Sequence, residues 1–120
     1  MHYLNSILYH CLPIHTVPTA APQHARGSAI TSTSIFLSWS PPPLSDQNGL
    51  IEYSIYVDEV DTDTRMQYTS ATTTTTINSL HPYYTYRCSV AAYTIVGEGP
   101  QNQPPVNIQT PEDSMFQHAL

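Results

Sequence analysis

The chain has no lysine, and its three arginines are outnumbered by nine acidic residues, so its 120 residues carry a net charge of −6. Proteins that bind nucleic acids need clustered Lys and Arg side chains to displace the counterions of the phosphate backbone. The sequence therefore argues against nucleic acid and anionic lipid surfaces as partners. No run of 18 apolar residues is present, so we expect no segment to insert directly into a membrane.

Cysteine is also scarce, since only Cys11 and Cys88 are present. A small secreted domain that depends on disulfide bonds carries four or more cysteines. We expect two free thiols, with Cys88 as a small buried apolar side chain, and a Cys11–Cys88 bridge is the alternative. The cysteines therefore leave both their own redox state and the cellular compartment open.

Tyr, Thr, Ser and Pro take the place of charged residues, and this mixture suits β-strands and turns better than helices. From Pro22 onward, short stretches alternate apolar and polar residues and are separated by Pro, Gly, Asn and Asp. The stretch "SIFLSW" at Ser34–Trp39 stops shortly before three prolines, which cannot donate to a sheet. The run "TTTTTI" at Thr72–Ile77 predicts an edge strand because β-branched residues favour extended backbone.

Counting these stretches predicts about seven strands and no amphipathic helix in the body of the chain. The last strand is expected at Pro105–Thr110, and a loop is expected at Val96–Pro100. The pattern favours an all-β fold, a seven-stranded antiparallel sandwich of two sheets. The residues expected to face inward and form its core are Leu37, Trp39, Tyr53, Ile55, Ile77, Leu80, Tyr86, Val90 and Ile108.

The stretch "LHPYYTYRCSVAAYT" at Leu80–Thr94 contains residue types that catalysis and metal binding use. Alternation along a strand places Cys88 on the inward face and His81 on the outward face, so the two cannot act as nucleophile and base. Tyr86 follows a Leu-x-Pro corner, which predicts a buried ring whose hydroxyl bonds the backbone, the tyrosine corner of β-sandwiches. The outward residues of this strand by the same count are Arg87, Ser89 and Ala91.

Two clusters of potential metal ligands lack the pattern of a site. His10, Cys11 and His15 have no second pair of ligands at the spacing that completes a tetrahedron. The four carboxylates of Asp58–Asp63 lack the Gly and the distal Glu of a calcium loop. We expect a tail in the first case and a solvated hairpin in the second, with no metal or cofactor bound.

Taken together, these features resemble the fibronectin type III family, which has an immunoglobulin-like fold. The matching pieces are Trp39 followed by "SPPP", "NG" before the strand with Tyr53, "L-x-P-x-x-x-Y" ending at Tyr86, "VAAYTIVGEGP" and "PVNIQT". The pattern is most similar to modules of receptor-type tyrosine phosphatases and neural adhesion receptors. It departs from the family at the entry to the strand with Tyr53, where either Leu50 or Ile51 can face inward.

The resemblance predicts a domain at residues 21–111. Residues 1–20 are expected to be a tail, for which a signal peptide, a fragment edge and a divergent exon are open interpretations. Residues 112–120 are expected to be a C-terminal linker or tail.

The resemblance implies a non-catalytic module that binds proteins or spaces the neighbouring domains of a cell-surface or extracellular multidomain protein. The alternatives are an intracellular module of a muscle or cytoskeletal protein, located in the cytoplasm, and a spacer in a secreted enzyme. The loop "TIVGEGP" contains no Arg-Gly-Asp, so integrin binding by that motif is not expected. The candidate residues for contact with a protein partner are Tyr56, Tyr68, Tyr83, Tyr93 and Ile95.

Replacement of the sole tryptophan tests the predicted core. Trp39→Ala is expected to lower the free energy of unfolding by roughly 3–5 kcal/mol, because it removes a large ring from a packed interior. A loss of that size is enough to unfold a domain of this length. Chemical denaturation measures it, and a loss below about 1 kcal/mol would place Trp39 outside the core.

Overall fold

Two antiparallel β-sheets face each other across an apolar core in the computed structural model, which describes residues 16–43 and 49–113. One sheet has the strand order β1-β2-β5, and the other has the order β4-β3-β6 with β7 and β8 paired to β6. Within the described residues no helix is present. The strands are β1 (Gln23–Thr31), β2 (Ser34–Ser40), β3 (Leu50–Glu59), β4 (Thr64–Ser70), β5 (Thr74–Ile77), β6 (Thr85–Thr94), β7 (Glu98–Gln101) and β8 (Val106–Gln109).

The predicted last strand at Pro105–Thr110 corresponds to β8, and β7 is an additional strand in the stretch expected to be a loop. Both run antiparallel to β6 along the edge opposite β3, with Tyr93 paired to Glu98 and Cys88 paired to Val106. Between β7 and β8, the side chain of the buried Asn102 replaces a backbone partner for β6, since its side-chain oxygen accepts the Val90 N–H at 2.6 Å. The two-sheet sandwich is confirmed, and the expected loop at residues 96–100 is corrected because Glu98–Gln101 extends the sheet.

The core lies between the two sheets, as the alternation of apolar residues requires. Trp39 and Tyr53 contact each other edge to face across it, with ring centroids 5.4 Å apart. Cys88 and Val57 also lie in this cluster. The nine residues expected to form the core are all buried: Leu37, Trp39, Tyr53, Ile55, Ile77, Leu80, Tyr86, Val90 and Ile108.

Tyr86 adopts the expected corner geometry. Its ring is fully buried, and its hydroxyl accepts the backbone N–H of His81 at 2.7 Å. The corner also holds Thr110, whose hydroxyl donates to the His81 carbonyl at 2.6 Å and accepts the Tyr84 N–H at 3.1 Å. The end of β8 is thereby connected to the turn before β6, because a buried hydroxyl must find such partners.

A β-bulge explains the departure at the entry to β3. Leu50 pairs with Thr94 and Glu52 pairs with Tyr93, so one extra residue is accommodated between these two pairs. Leu50 is the residue that packs partly against the core. Gly49, at a φ of 75°, precedes it in the left-handed conformation that glycine tolerates best. The preceding Asn48 lies outside the described residues.

The packed structure begins before the expected boundary at residue 21. The Thr16 carbonyl accepts the Thr94 hydroxyl at 2.7 Å, and Pro18 is buried against Gly99 so closely that a Cβ there would lie 2.7 Å from the Pro18 carbonyl oxygen. At the other end, the Asp113 carboxylate accepts the Ser32 hydroxyl at 2.5 Å. Thr16, Pro18 and Asp113 therefore all contact the sandwich.

Gly27 is a position where the absence of a side chain is required. A Cβ there would lie 2.6 Å from Leu37 Cδ2, 2.7 Å from the Phe36 carbonyl and 2.8 Å from Ile108 Cδ1. Gly27→Ala is expected to lower the free energy of unfolding by roughly 1–3 kcal/mol through overpacking, measured by denaturant titration. Gly97→Ala is the matched control, because its Cβ would meet only Val17 Cγ2 at 3.4 Å. Equal stability losses in the two variants would contradict this account.

The Tyr86 hydrogen bond gives a second stability test. Tyr86→Phe is expected to lower the free energy of unfolding by about 0.5–1.5 kcal/mol, because the part-buried hydrogen bond between the His81 N–H and the Tyr86 hydroxyl is lost. Tyr83→Phe is the control, since Tyr83 is 62% exposed. A Tyr86→Phe variant with unchanged thermal unfolding would show that the corner does not depend on the hydroxyl.

Candidate functional site

The outer face of the sheet formed by β3, β4, β6 and β7 carries aromatic and charged side chains that contact one another. Pairing places Tyr56 of β3 between Gln67 of β4 and Ser89 of β6. Since side chains on neighbouring strands that share a parity point to one side, they form a continuous surface. We call it the tyrosine face, and its members are Ser54, Tyr56, Asp58, Arg65, Gln67, Thr69, Tyr93 and Glu98.

Tyr56 is held on this face from two sides. Its hydroxyl donates to the Glu98 carboxylate, with distances of 2.7 and 2.8 Å to the two oxygens. The Arg65 guanidinium carbon lies 4.7 Å from the centre of its ring, which is a cation–π contact. Partial burial and then the hydrogen bond to Glu98 raise the pKa of the Tyr56 hydroxyl, so it stays protonated as a donor.

Arg65 is itself fixed by a forked ion pair with Asp58. Arg65 Nε lies 2.7 Å from Asp58 Oδ1, and its terminal nitrogen lies 3.0 Å from Oδ2. The hydrogen bonds from Arg65 lower the pKa of the Asp58 carboxyl, so that the pair stays charged well into the acidic range. The aromatic ring, the cation and both carboxylates are therefore arranged before any partner arrives.

A shallow depression of about 290 Å³ lies beside this network. It is lined by Tyr93 and Glu98 together with Gly97 of the β6–β7 turn. Its floor contains Ser54, whose exposed fraction is only 3%. The tyrosine face thus includes a shallow depression lined by hydroxyl, amide and carboxylate groups.

The structure brings two of the five predicted contact residues together, Tyr56 and Tyr93. Ile95 follows Tyr93 by two residues, in the turn between β6 and β7, and is 74% exposed. Tyr83 is at the other end of β6, where its N–H donates to the Pro111 carbonyl at 3.2 Å. Tyr68 is corrected: it pairs with the inward Ile55, packs partly against the core and contacts Met66 sulfur at 3.5 Å.

Sequence reasoning missed the charged partners of Tyr56. Arg65 alternates with Met66 in β4, so strand parity was a signal that it faces outward beside Asp58. Glu98 gave no such signal, because the segment around it reads as a loop. Ser89 and Ala91 were expected only to lie on the outward face, and both are buried there, since Tyr56 and Gln101 are their cross-strand neighbours.

No catalytic pair forms between His81 and Cys88. Cys88 is a free thiol that is 1% exposed, and burial raises its pKa to about 12. His81 is exposed and lies 3.8 Å from the Glu59 carboxylate. Within residues 16–43 and 49–113 no group of three metal-binding side chains and no membrane-length apolar helix occurs. His10, Cys11 and His15 lie outside the described residues.

Comparison with known proteins places this chain in a family context. A family model described as the fibronectin type III domain matches residues 20–109. The chain is similar to mouse protein sidekick-2, at 39% identity over 93 residues that cover 73% of this chain and 4% of that protein. It is similar to the Drosophila melanogaster tyrosine-protein phosphatase Lar, at 35% identity over 108 residues covering 85% of this chain and 5% of that protein.

A solved structure supports the same relationship. The FN5 domain of Drosophila Lar matches with a TM-score of 0.66 at 27% identity, covering 79% of this chain and 98% of that one. The chain therefore corresponds to nearly all of one solved domain, whereas it spans only 4% of sidekick-2 and 5% of Lar.

The raised pKa of Cys88 predicts a chemically silent thiol. In a Cys11→Ser variant, Cys88 is expected not to react with a thiol reagent at pH 8, because at a pKa of about 12 only about one thiol in 10,000 is ionised. Reaction should become complete in denaturant, where the thiol is exposed and its pKa returns to its ordinary value. Rapid labelling of the native variant would show that Cys88 is accessible and contradict its placement in the core.

Proposed function

Because the chain belongs to the fibronectin type III family, we propose that it is a non-catalytic module that binds a protein partner and spaces its neighbouring domains. We place it in a multidomain protein of the cell surface or the extracellular space. Its similarity to a small part of receptor-type tyrosine-protein phosphatase F supports that location. The phosphatase named in such relatives is not assigned to this chain, which spans 5% of the mouse protein.

The observation that carries the binding proposal is the tyrosine face. Tyrosine and arginine are enriched where proteins bind one another, because they offer large contact areas together with directional hydrogen bonds. Tyr56 and Arg65 are already fixed by Glu98 and Asp58, so a partner orders few additional side chains on docking. A surface fixed in advance loses less conformational entropy on binding.

The spacing proposal rests on the two ends of the domain. The entering chain is hydrogen-bonded at Thr16 to Thr94, at the end of β6. The leaving chain is bonded at Asp113 to Ser32 and at Pro111 to Tyr83, which precedes β6. The strand β6 is 10 residues long and separates these two attachment points. The chain therefore enters at one end of the sandwich and leaves at the other, as a spacer requires.

The absence of catalysis is part of the proposal and rests on the chemistry of the reactive side chains. The thiol of Cys88 is buried, and its raised pKa keeps it protonated. His81 contacts Tyr84 and Glu59, and neither residue is a nucleophile that it activates. A hydrolysis assay tests this assignment. Activity that is present in the unaltered chain and absent from a Cys88→Ala variant would contradict it.

A binding experiment tests the tyrosine face. The chain, tetramerised to raise avidity, is measured on intact cells by flow cytometry, with and without protease treatment of the cell surface. Tyr93→Ala and Glu98→Ala are each expected to weaken protease-sensitive binding about fivefold or more. Both are surface changes, so their thermal unfolding should stay close to that of the unaltered chain.

Thr76→Ala is the matched control, because Thr76 is an exposed residue of β5 in the opposite sheet. It should leave binding unchanged. Equal weakening by Thr76→Ala, or unaltered binding by both tyrosine-face variants, would contradict docking at this face. Failure of the tetramer to bind any cell type would contradict the proposal that the module binds a protein partner. The proposal that it spaces neighbouring domains would not be affected.

The proposed extracellular location is tested by the full-length sequence of the parent protein. A secretion signal, with or without a membrane-spanning segment after the module, is expected if the domain is extracellular. A parent without either, built from cytoskeletal modules, would contradict the proposed location.

A further inference from the structure

The two open sheets leave four strand edges without a neighbouring strand in the described part of the chain. They belong to β1 and β5 in one sheet, and to β4 and the β7–β8 pair in the other. An unpaired edge presents a row of backbone N–H and C=O groups that another strand can bind. Proteins usually obstruct such edges with short strands, bulges, prolines or charges.

Three of these edges carry such obstructions. The pairing of β1 with β2 contains two register shifts, and β5 is only four residues long. The β7–β8 edge is broken between Gln101 and Val106. It also contains Pro100, and Pro104 and Pro105 precede β8, so three of its nitrogens carry no hydrogen.

The edge of β4 has none of these features. β4 is seven residues long and pairs with β3 from Thr64 to Ser70 without a register shift. It contains neither proline nor glycine. Within residues 16–43 and 49–113 no second strand pairs with it. A regular row of backbone groups is therefore open to another strand.

The one charge on β4 is directed away from its free edge. Arg65 donates to the Asp58 carboxylate of β3 at 2.7 and 3.0 Å, and its guanidinium lies over the ring of Tyr56, also in β3. Asp58 and Arg65 are direct neighbours across the two strands. An arginine held back over its own sheet does not obstruct an approaching strand as a free charge does.

The inward side chains of β4 are incompletely covered. Met66 and Tyr68 pack against the core but are only half-buried, and the Tyr68 hydroxyl lies 3.5 Å from the Met66 sulfur. Their partners in β3, Val57 and Ile55, are fully buried. The difference arises because β3 has a strand on both sides and β4 has one on a single side. A strand added at this edge covers more of both side chains.

The sequence of β4 is complementary to itself in the antiparallel orientation. A twofold axis at Gln67 places Met66 opposite Tyr68 of a second copy, and it places Arg65 opposite Thr69. Sulfur–aromatic contacts across strands are favourable, and no like charges lie directly opposite each other. Gln67 then meets Gln67 of the second copy, and an amide group both donates and accepts hydrogen bonds.

The carboxylates near β4 favour the same orientation. Glu59, Asp61 and Asp63 lie beside the start of β4, whereas Ser70 at its end is followed by Ala71 and five threonines. Antiparallel pairing therefore sets each acidic turn beside an uncharged segment of the other copy. Parallel pairing brings the two acidic turns together, and like charges repel.

We propose that this chain pairs with a second copy of itself through β4, antiparallel and centred on Gln67, so that the two β4-β3-β6 sheets form one continuous sheet. The pairing is independent of the partner proposed for the tyrosine face. Two strands of seven residues offer less contact area than the roughly 1,200 Å² of a stable interface, so we expect a Kd on the order of 100 µM. Such pairing becomes effective when several copies are held on one surface.

Analytical ultracentrifugation of the full chain tests the pairing. The concentration is varied from about 10 µM to about 1 mM, in reductant so that Cys11 forms no disulfide bond between copies. The weight-average sedimentation coefficient is expected to rise from that of a monomer towards that of a dimer. Amide hydrogen exchange within residues 65–69 should slow over the same range, because N–H groups at the edge gain acceptors.

Charges introduced at Gln67 locate the axis. Gln67→Glu and Gln67→Lys should each weaken dimerisation about fivefold or more, because each sets two like charges opposite one another. An equimolar mixture of the two variants should restore dimerisation, because opposite charges then face each other. Gln67 is exposed, so thermal unfolding of both variants should stay close to that of the unaltered chain.

Thr76→Glu and Thr76→Lys are the matched controls. They change the net charge by the same amounts at an exposed position of β5, which is also an edge strand. Both should leave dimerisation unchanged.

Three results would overturn the proposal. A chain that stays monomeric at about 1 mM would leave the β4 edge to a strand of a different protein. A dimer that the mixture of Gln67 variants does not restore would have its axis elsewhere. Equal effects of the Gln67 and Thr76 variants would mean that net charge or the β5 edge controls the association.

Discussion

The burial of Tyr86 is the constraint on which much of the sandwich depends. A tyrosine ring stabilises the core only if its hydroxyl finds a partner, and here the partner is the backbone of His81. That bond fixes the turn before β6, and the turn in turn holds Thr110 at the end of β8. The central strand β6 can then pair with β3 on one side and with β7 and β8 on the other.

The same arrangement separates the two outer surfaces of the molecule. The sheet centred on β3 and β6 presents ring, cation and carboxylate groups that pair with one another, as Tyr56, Arg65 and Glu98 do. The sheet centred on β2 presents hydroxyl groups and one arginine, Arg26, which forms no ion pair with the carboxylates of residues 16–43 and 49–113. One core thus supports two faces of different chemistry, and a binding module needs its specificity to lie on such faces rather than in the core.

Most of the fold was predictable from residues close together in the chain. The parity of Leu37 and Trp39, or of Tyr53 and Ile55, assigns each side chain to the interior, because successive residues of a strand point to opposite sides. The Leu-x-Pro corner before Tyr86 is equally local. Tyr68 was misjudged because its side chain is amphipathic, and only the pairing with Ile55 places it inside. Similarly, Ser89 and Ala91 are small, so their burial depends on their neighbours across the strands.

The amino-acid sequence by itself determined the class of fold, the inward residues and the family, since alternation, turn residues and the tyrosine corner act over a few positions. Tertiary structure alone decided which outward residues meet. Tyr56 and Glu98 are 42 positions apart, and Ser32 and Asp113 are 81 apart. Such pairs depend on strand order and register, which arise from the packing of the whole sandwich and from no short stretch of the chain.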